Sequence, residues 1–197
     1  MSTPEDQIRA YIARFAAPPG ELVDSFIAKG RRQLLSKGEP LVRLGETEHP
    51  VAFLHSGIVR YHVMHPETGD DVTKDFSFSL GLALSFGSAV RAQPARVAVS
   101  AVQDCSITIW PASALFEAMN EHIEWQKLGR KLAERLYVRK EDREIAFLMQ
   151  NADERYEALL ALFPPDIERI PQHFLASYLG VTPESLSRLK NRRKKRT

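Results

Sequence analysis

The sequence predicts an α+β protein: an N-terminal antiparallel β-barrel or jelly roll with flanking helices, one long connecting helix, and a small all-helical unit at the C-terminus. Three observations carry this. Between residues 31 and 110, short apolar runs alternate with Gly38, Gly45, Gly57 and Gly69, the punctuation of an antiparallel sandwich or barrel. Residues 123–150 hold no proline and a single glycine, as one uninterrupted helix would. The chain then ends LGVTPESLSRLKNRRKKRT, in which a Gly-Val turn separates two helical segments.

Taken in order, residues 4–17 form an amphipathic helix. Ile8, Ile12 and Phe15 recur at helical spacing, and Pro18-Pro19-Gly20 stops it. A second short helix is expected around 21–29. In the strand region, GIVRYHVMH alternates so that Val59, Tyr61 and Val63 share one face. The stretch ARVAVSAVQDCSITIW gives two further strands, divided near Gln103-Asp104. After Pro111, ASALFEAMNEH is helical. The long helix follows and breaks at Asn151–Asp153, where Asp153 is the expected cap of ERYEALLALF. Pro164-Pro165 ends that helix. The divisions expected are residues 1–122 for the barrel, 123–150 for the connecting helix and 151–197 for the terminal unit with its basic tail.

Charge is segregated along the chain. There are 27 basic and 25 acidic residues, but from Arg188 onward seven of the last ten residues are Lys or Arg. Removing those seven leaves 20 basic against 25 acidic residues, a body of −5 with a cationic end, which points to a polyanionic partner. Cys105 is the single cysteine, which excludes an internal disulfide and a four-cysteine zinc or iron–sulfur site. The start, MSTPEDQIRAY, is unlike a secretion signal, and no apolar run approaches the ~20 residues of a membrane span. A cytoplasmic protein without membrane attachment is expected.

The most informative stretch is QHFLASYLGVTPESLSRLK. Ala176, Gly180, Val181, Leu186 and Leu189 stand at the spacing of a helix-turn-helix. Small Ala176 lets the two helices cross closely, and Gly180 supplies the left-handed residue of the turn. Leu175, Leu179, Leu186 and Leu189 close the core between the helices. Thr182 caps the second helix, and Pro183 sits in its first turn, where a missing N–H costs nothing. That helix then exposes Glu184, Ser185, Ser187 and Arg188, groups able to read base edges in a major groove. Thr182, Lys190, Arg192, Arg193, Lys194, Lys195 and Arg196 are the expected phosphate contacts.

A glycine-punctuated barrel, a long helix and RIPQHFLASYLGVTPESLSRLK, in that order, resemble the Crp/Fnr family of bacterial transcription regulators. The resemblance implies a cyclic-nucleotide-binding-type barrel and a homodimer on double-stranded DNA. Glu184, Ser187 and Arg188 would be the base readers, and RNA polymerase a further partner. Three features depart from the family. In SFGSAVRAQPARVAVSA, Gly87 is followed by Ser88 rather than Glu, while Ala95 and Ala98 replace the phosphate-binding Arg and the Thr. Pro183 stands where many members have an Arg. Eight residues follow Leu189, too few for a β-wing, so a short form is expected in which the basic tail takes over the wing's phosphate contacts. The barrel is therefore expected not to respond to cyclic AMP.

Phe76, Phe78, Phe86, Ser88, Arg91 and Arg96 are the candidate lining of a pocket for an effector of unknown identity. Leu128, Leu132 and Leu136, four residues apart, are the candidate dimer seam, and the charged VRKEDRE stretch after them breaks any regular heptad. His49, His55, His62 and His65 lack the even spacing that would put a ligand pair on one strand face. ALSFG at 83–87 lacks the first glycine of a nucleophile elbow. Nothing in the sequence demands a cofactor, and no catalytic set emerges. The competing reading is a ligand-binding, cupin-like barrel protein or enzyme whose helical end binds a protein partner.

Overall fold

The computed structural model describes residues 2–163 and 166–193, and the backbone of Lys194. Two helices, α1 (Pro4–Ala13) and α2 (Gly20–Ala28), precede the strands. The strands are β1 (Arg31–Leu35), β2 (Pro40–Val42), β3 (Pro50–Ser56), β4 (Ile58–Met64), β5 (Asp71–Phe78), β6 (Gly81–Ala83), β7 (Ala98–Ala101) and β8 (Cys105–Pro111), with the short helix α3 (Phe86–Arg91) between β6 and β7. Helices α4 (Ala112–Glu121), α5 (Ile123–Met149), α6 (Ala152–Leu162), α7 (Gln172–Leu179) and α8 (Pro183–Lys194) complete the chain, with one turn of 3-10 helix at Asp166–Arg169.

The strands form two four-stranded antiparallel sheets, β1-β8-β3-β6 and β2-β7-β4-β5. The alternation read from the sequence fixes which side chains fall between them. Val59 is buried in the sandwich with Val42, Leu54, Val99 and Ile107, and Tyr61 packs against them. The opposite face of β4 carries Ile58, Arg60 and His62. A bulge between Tyr61 and His62 shifts the β4–β5 register there. The jelly roll and the division of the last two strands at Gln103-Asp104 agree with the sequence reading.

Each sheet is covered on its outer face by helices. Over the first sheet, Phe53 and Trp110 pack with Ile8, Ile12 and Phe26 from α1 and α2, and with Trp125 and Leu128 from α5. The Trp110 indole N–H donates to the Phe26 carbonyl at 2.8 Å, so this large residue is buried with its polar atom satisfied. Over the second sheet lies the C-terminal unit. Ile58 and Phe76 share a core with Tyr156, Leu159, Phe163, Tyr178 and Leu179.

Helix α5 bridges the two faces. Leu128 is 2% exposed and Leu132 packs against the same cluster, so these two leucines face the protein's own barrel. Leu136 continues their spacing and is half-buried. The large apolar side chains that α5 leaves exposed are Ile123, Tyr137, Val138, Ile145, Phe147, Leu148 and Met149. Among the described residues, no helix is long and apolar enough to cross a membrane.

Candidate nucleic-acid interface

The C-terminal unit begins with a capping box. The Asn151 side chain accepts from the Glu154 N–H at 3.1 Å, and the Glu154 carboxylate accepts from the Asn151 N–H at 2.8 Å. The cap is therefore Asn151 and not Asp153, because a Glu three residues on completes the reciprocal pair. Asp153 lies in the first turn and accepts from Arg192 at 2.8 Å.

Helix α7 ends at Gly180, whose φ of +68° is the left-handed conformation expected of the turn. The Val181 N–H reaches back to the Ala176 carbonyl at 3.0 Å, and the Gly180 N–H to that of Ser177 at 3.2 Å, which closes the helix end. Leu175, Ala176, Leu179, Leu186 and Leu189 are all buried between α7 and α8. The Thr182 hydroxyl accepts from the Ser185 N–H at 3.2 Å and caps α8. This motif is thus built as its residues predict.

Two arginines from outside the motif hold its turn. Arg143 of α5 donates to the Tyr178 carbonyl at 3.0 Å, and Arg155 of α6 donates to the Leu179 carbonyl at 3.1 Å. Cations at the carbonyl end of a helix satisfy orphan acceptors and complement its dipole. The Phe147 ring lies against Gly180, with both guanidinium groups 4.8 Å from its centre.

The barrel supplies the second support. Arg60, 6% exposed, lies 3.9 Å from the centre of the Phe174 ring, and donates to Asp71 at 2.9 Å and to Thr73 at 3.3 Å. The Thr73 N–H donates to the Ser177 hydroxyl at 2.8 Å. Phe76 meets Tyr178 at 5.6 Å, and Phe78 meets Phe163 at 4.7 Å between ring centres. Phe76 and Phe78 therefore do not line an effector pocket. They point out of the sheet, and the helical unit covers them. Of the other pocket candidates, Phe86 is half-buried and Ser88 is buried, with its hydroxyl accepting from the Arg96 N–H at 3.2 Å; Arg91 and Arg96 are exposed. They do not converge on one cavity with the phenylalanines.

On α8, Glu184, Ser187 and Arg188 are exposed and share one side. Ser185 is half-buried, and its hydroxyl is used locally: it lies 3.2 Å from the Thr182 hydroxyl and accepts from Arg188 at 3.1 Å. It orients Arg188. The Glu184 carboxyl is held below the usual range, chiefly by a bond from its own backbone N–H and by the Thr182 hydroxyl. Asn191 was missed in the sequence. It is exposed and lies three residues after Arg188 and four after Ser187, on the same side of the helix. Lys190 is half-buried on another side. Arg192 and Arg193 turn toward α6, where they pair with Asp153 and with Glu157 at 3.4 Å. The Lys194 side chain, Lys195 and Arg196 lie outside the described residues.

Three of the four barrel histidines sit in local networks, whereas both ring nitrogens of His49 are buried without a hydrogen-bond partner. His55 bonds Gln7 at 2.8 Å and Thr108 at 2.7 Å, His62 bonds Ser100 at 3.1 Å, and His65 accepts from the turn N–H groups of Glu67 and Thr68. Among the described residues, no group of three or more His, Cys, Asp or Glu side chains could hold a metal ion.

No protein-family model matches the chain, and no curated protein matches it in sequence. Solved structures do. FixK2 from Bradyrhizobium japonicum matches with a TM-score of 0.71 at 20% identity, covering 85% of each chain. A CooA mutant from Carboxydothermus hydrogenoformans matches at 0.69 and 18% identity, over 91% of this chain and 86% of that one. The c-di-GMP responsive global regulator CLP of Xanthomonas campestris matches at 0.69 and 13% identity, over 90% and 92%. These neighbours are Crp/Fnr regulators with a cyclic-nucleotide-binding fold. At such identities the likeness is one of fold, and it spans barrel, long helix and helical terminus together.

Proposed function

We propose that this chain is a homodimeric, sequence-specific DNA-binding transcription regulator of the Crp/Fnr type that does not respond to cyclic AMP. The observation that carries the reading is the two-sided build of α8. Leu186 and Leu189 anchor its inner side, while Glu184, Ser187, Arg188 and Asn191 are exposed on its outer side. A helix fixed on one side and polar on the other fits a major groove, where Arg pairs with guanine, Asn with adenine, and Glu accepts from cytosine. The cationic end of the chain supplies phosphate contacts, which position the protein without reading sequence.

The division into a barrel (1–122), a connecting helix (123–150) and a reading unit (151–197) follows from this function. The seam of the homodimer is assigned to Val138, Ile145 and Leu148, which α5 exposes together. Insensitivity to cyclic AMP rests on the cassette region. Ala95 is buried with its N–H and C=O both taken up by the Gly45–Glu46 turn, and no cation accompanies it inward. A buried phosphate without a charged partner is strongly disfavoured.

Selection of bound sequences from a random DNA pool tests the central reading. Enrichment of a two-fold repeated site is expected, and failure to enrich any sequence from the pool refutes it. Calorimetry with cyclic AMP tests the second part, and binding at micromolar strength or tighter overturns it.

A further inference from the structure

We propose that a cleft between β5 and the C-terminal half of α5 binds a small anion of the phosphate class carrying at least two negative charges. The cleft measures about 390 Å³, within the ~300–1,000 Å³ typical of small-molecule sites. Four cations line it: Lys74 from β5, and Arg139, Lys140 and Arg143 from α5. Only Asp75 and Glu144 oppose them, and Asp75 is already paired with Arg139. Phe147 closes the end of the cleft nearest the helix-turn-helix.

The site is short of acceptors. The Nε atoms of Arg139 and Arg143 are buried and have no hydrogen-bond partner, although a buried donor left unpaired costs free energy. Burial, followed by the fields of Lys140, Arg143 and Arg139, holds the Lys74 ammonium below the usual lysine range, with Asp75 opposing. A multiply charged oxyanion supplies what is missing: several acceptor oxygens and compensating charge in one compact group.

The site is independent of the barrel's nucleotide cassette and of the proposed dimer seam. The centre of Val138, Ile145 and Leu148 lies roughly 180° around α5 from the centre of the helix's cleft cations, so a second copy on that side leaves the cleft open. Its position gives it a route to the reading unit. Arg143 lines the cleft and also holds the Tyr178 carbonyl at the end of α7. An anion that draws on Arg143 therefore acts on the turn that orients α8.

The test uses the full chain without DNA and inorganic pyrophosphate as probe, by calorimetry at low salt. Micromolar to submillimolar binding is expected, with acetate giving no comparable heat. Lys140 is exposed, so K140A leaves the fold intact, which its melting curve checks. Removing one charged contact should weaken binding by about tenfold or more, and K74M should do the same. R91A/R96A, which strips the cassette cations, and K194A/K195A/R196A, which strips the tail, should leave binding unchanged. ADP distinguishes the source: tighter binding than pyrophosphate assigns the site to a nucleotide, and equal or weaker binding to an inorganic or other non-nucleotide phosphate. The proposal is overturned by the absence of pyrophosphate binding at millimolar concentration, by acetate binding as tightly, by unchanged binding in K140A and K74M, or by loss of binding in the cassette or tail variant.

Discussion

Replacing Gly180 by alanine isolates the turn that sets the angle between α7 and α8. Two costs follow from the structure. Gly180 has φ +68°, and a residue with a Cβ held in the left-handed region loses about 1–2 kcal/mol. The added Cβ would stand 2.9 Å from Cε1 of Phe147, against the ~3.5–4.0 Å at which carbon atoms pack. Phe147 is 41% exposed and can retreat, but doing so pulls its ring from between Arg143 and Arg155. Cation–π contacts at exposed sites contribute about 0.5–1 kcal/mol each. Gly180→Ala should therefore destabilise by about 2–4 kcal/mol, or roughly 4–16 °C in melting temperature for a chain of this length. In the Phe147→Ala background the steric part disappears, and only the backbone cost of about 1–2 kcal/mol should remain. Urea denaturation of the four proteins of the cycle measures both terms. A loss below about 0.5 kcal/mol for Gly180→Ala in the wild-type background, the ordinary scatter of surface substitutions, refutes the assignment of this glycine to the turn.

Three further predictions concern binding, assembly and pH. Arg188→Ala should cost about 1–3 kcal/mol on the selected DNA site and relax base preference there. K194A/K195A/R196A should instead weaken all duplexes alike and flatten the log–log salt slope by roughly 0.9 for each phosphate that is no longer neutralised; equal losses on specific and scrambled DNA for Arg188→Ala would make it a phosphate anchor only. Ile145→Asp with Leu148→Asp should sediment as a folded monomer, whereas Leu132→Asp should chiefly lower the melting temperature; a charged pair at 145 and 148 that leaves a dimer intact places the seam elsewhere. The Tyr61 hydroxyl, bonded to Ser77 at 3.0 Å, is pushed up to about 12, chiefly by burial. Its folded pKa is raised, so its contribution is complete below the unfolded value near 10 and is lost as pH rises from there toward 12. Tyr61→Phe should flatten the fall in stability across that alkaline window in urea melts at fixed pH, and identical pH profiles for the two proteins would show that Tyr61 does not titrate in this way.

The sequence made the strand region and the helix-turn-helix legible because both depend on local rules. Glycine punctuation marks turns wherever the chain folds back, and the helix-turn-helix is specified by a handful of small and apolar residues within fifteen positions. What it left illegible is which neighbour covers a given face. Alternation puts Phe76 and Phe78 on one side of β5 but cannot say that a helical unit nearly ninety residues later packs over them. The spacing of Leu128, Leu132 and Leu136 marks a stripe on α5 that suits a second copy and the protein's own barrel equally well. The same stripe continues as Arg139, Arg143 and Phe147, so a change of chemistry along one face looks like an interruption of the helix pattern. The choice of Asp153 over Asn151 as a cap is a smaller case. Both are good caps, and only Glu154, three residues after Asn151, decides between them.

The charged stretch of α5 acquires a reason once its neighbours are known. An apolar residue at position 143 could pack against Tyr178 but could not satisfy the carbonyls that end α7. Arginine does both: its guanidinium lies 4.5 Å from the Tyr178 ring centre while its Nη2 binds the Tyr178 carbonyl. Arg155 reaches the Leu179 carbonyl next to it from α6. Directional bonds to two successive carbonyls fix the rotation of α7, which apolar packing alone would leave freer to slide. Arg60 stacked on Phe174, and the Thr73 N–H on Ser177, fix the opposite end and side of the same helix. Because α7 and α8 share a closed leucine core, fixing α7 fixes the direction in which Glu184, Ser187, Arg188 and Asn191 face. The orientation of α8 is therefore set jointly by β4 and β5, by α5 and by α6. Any ligand or partner that moves one of these against the others changes what α8 can reach.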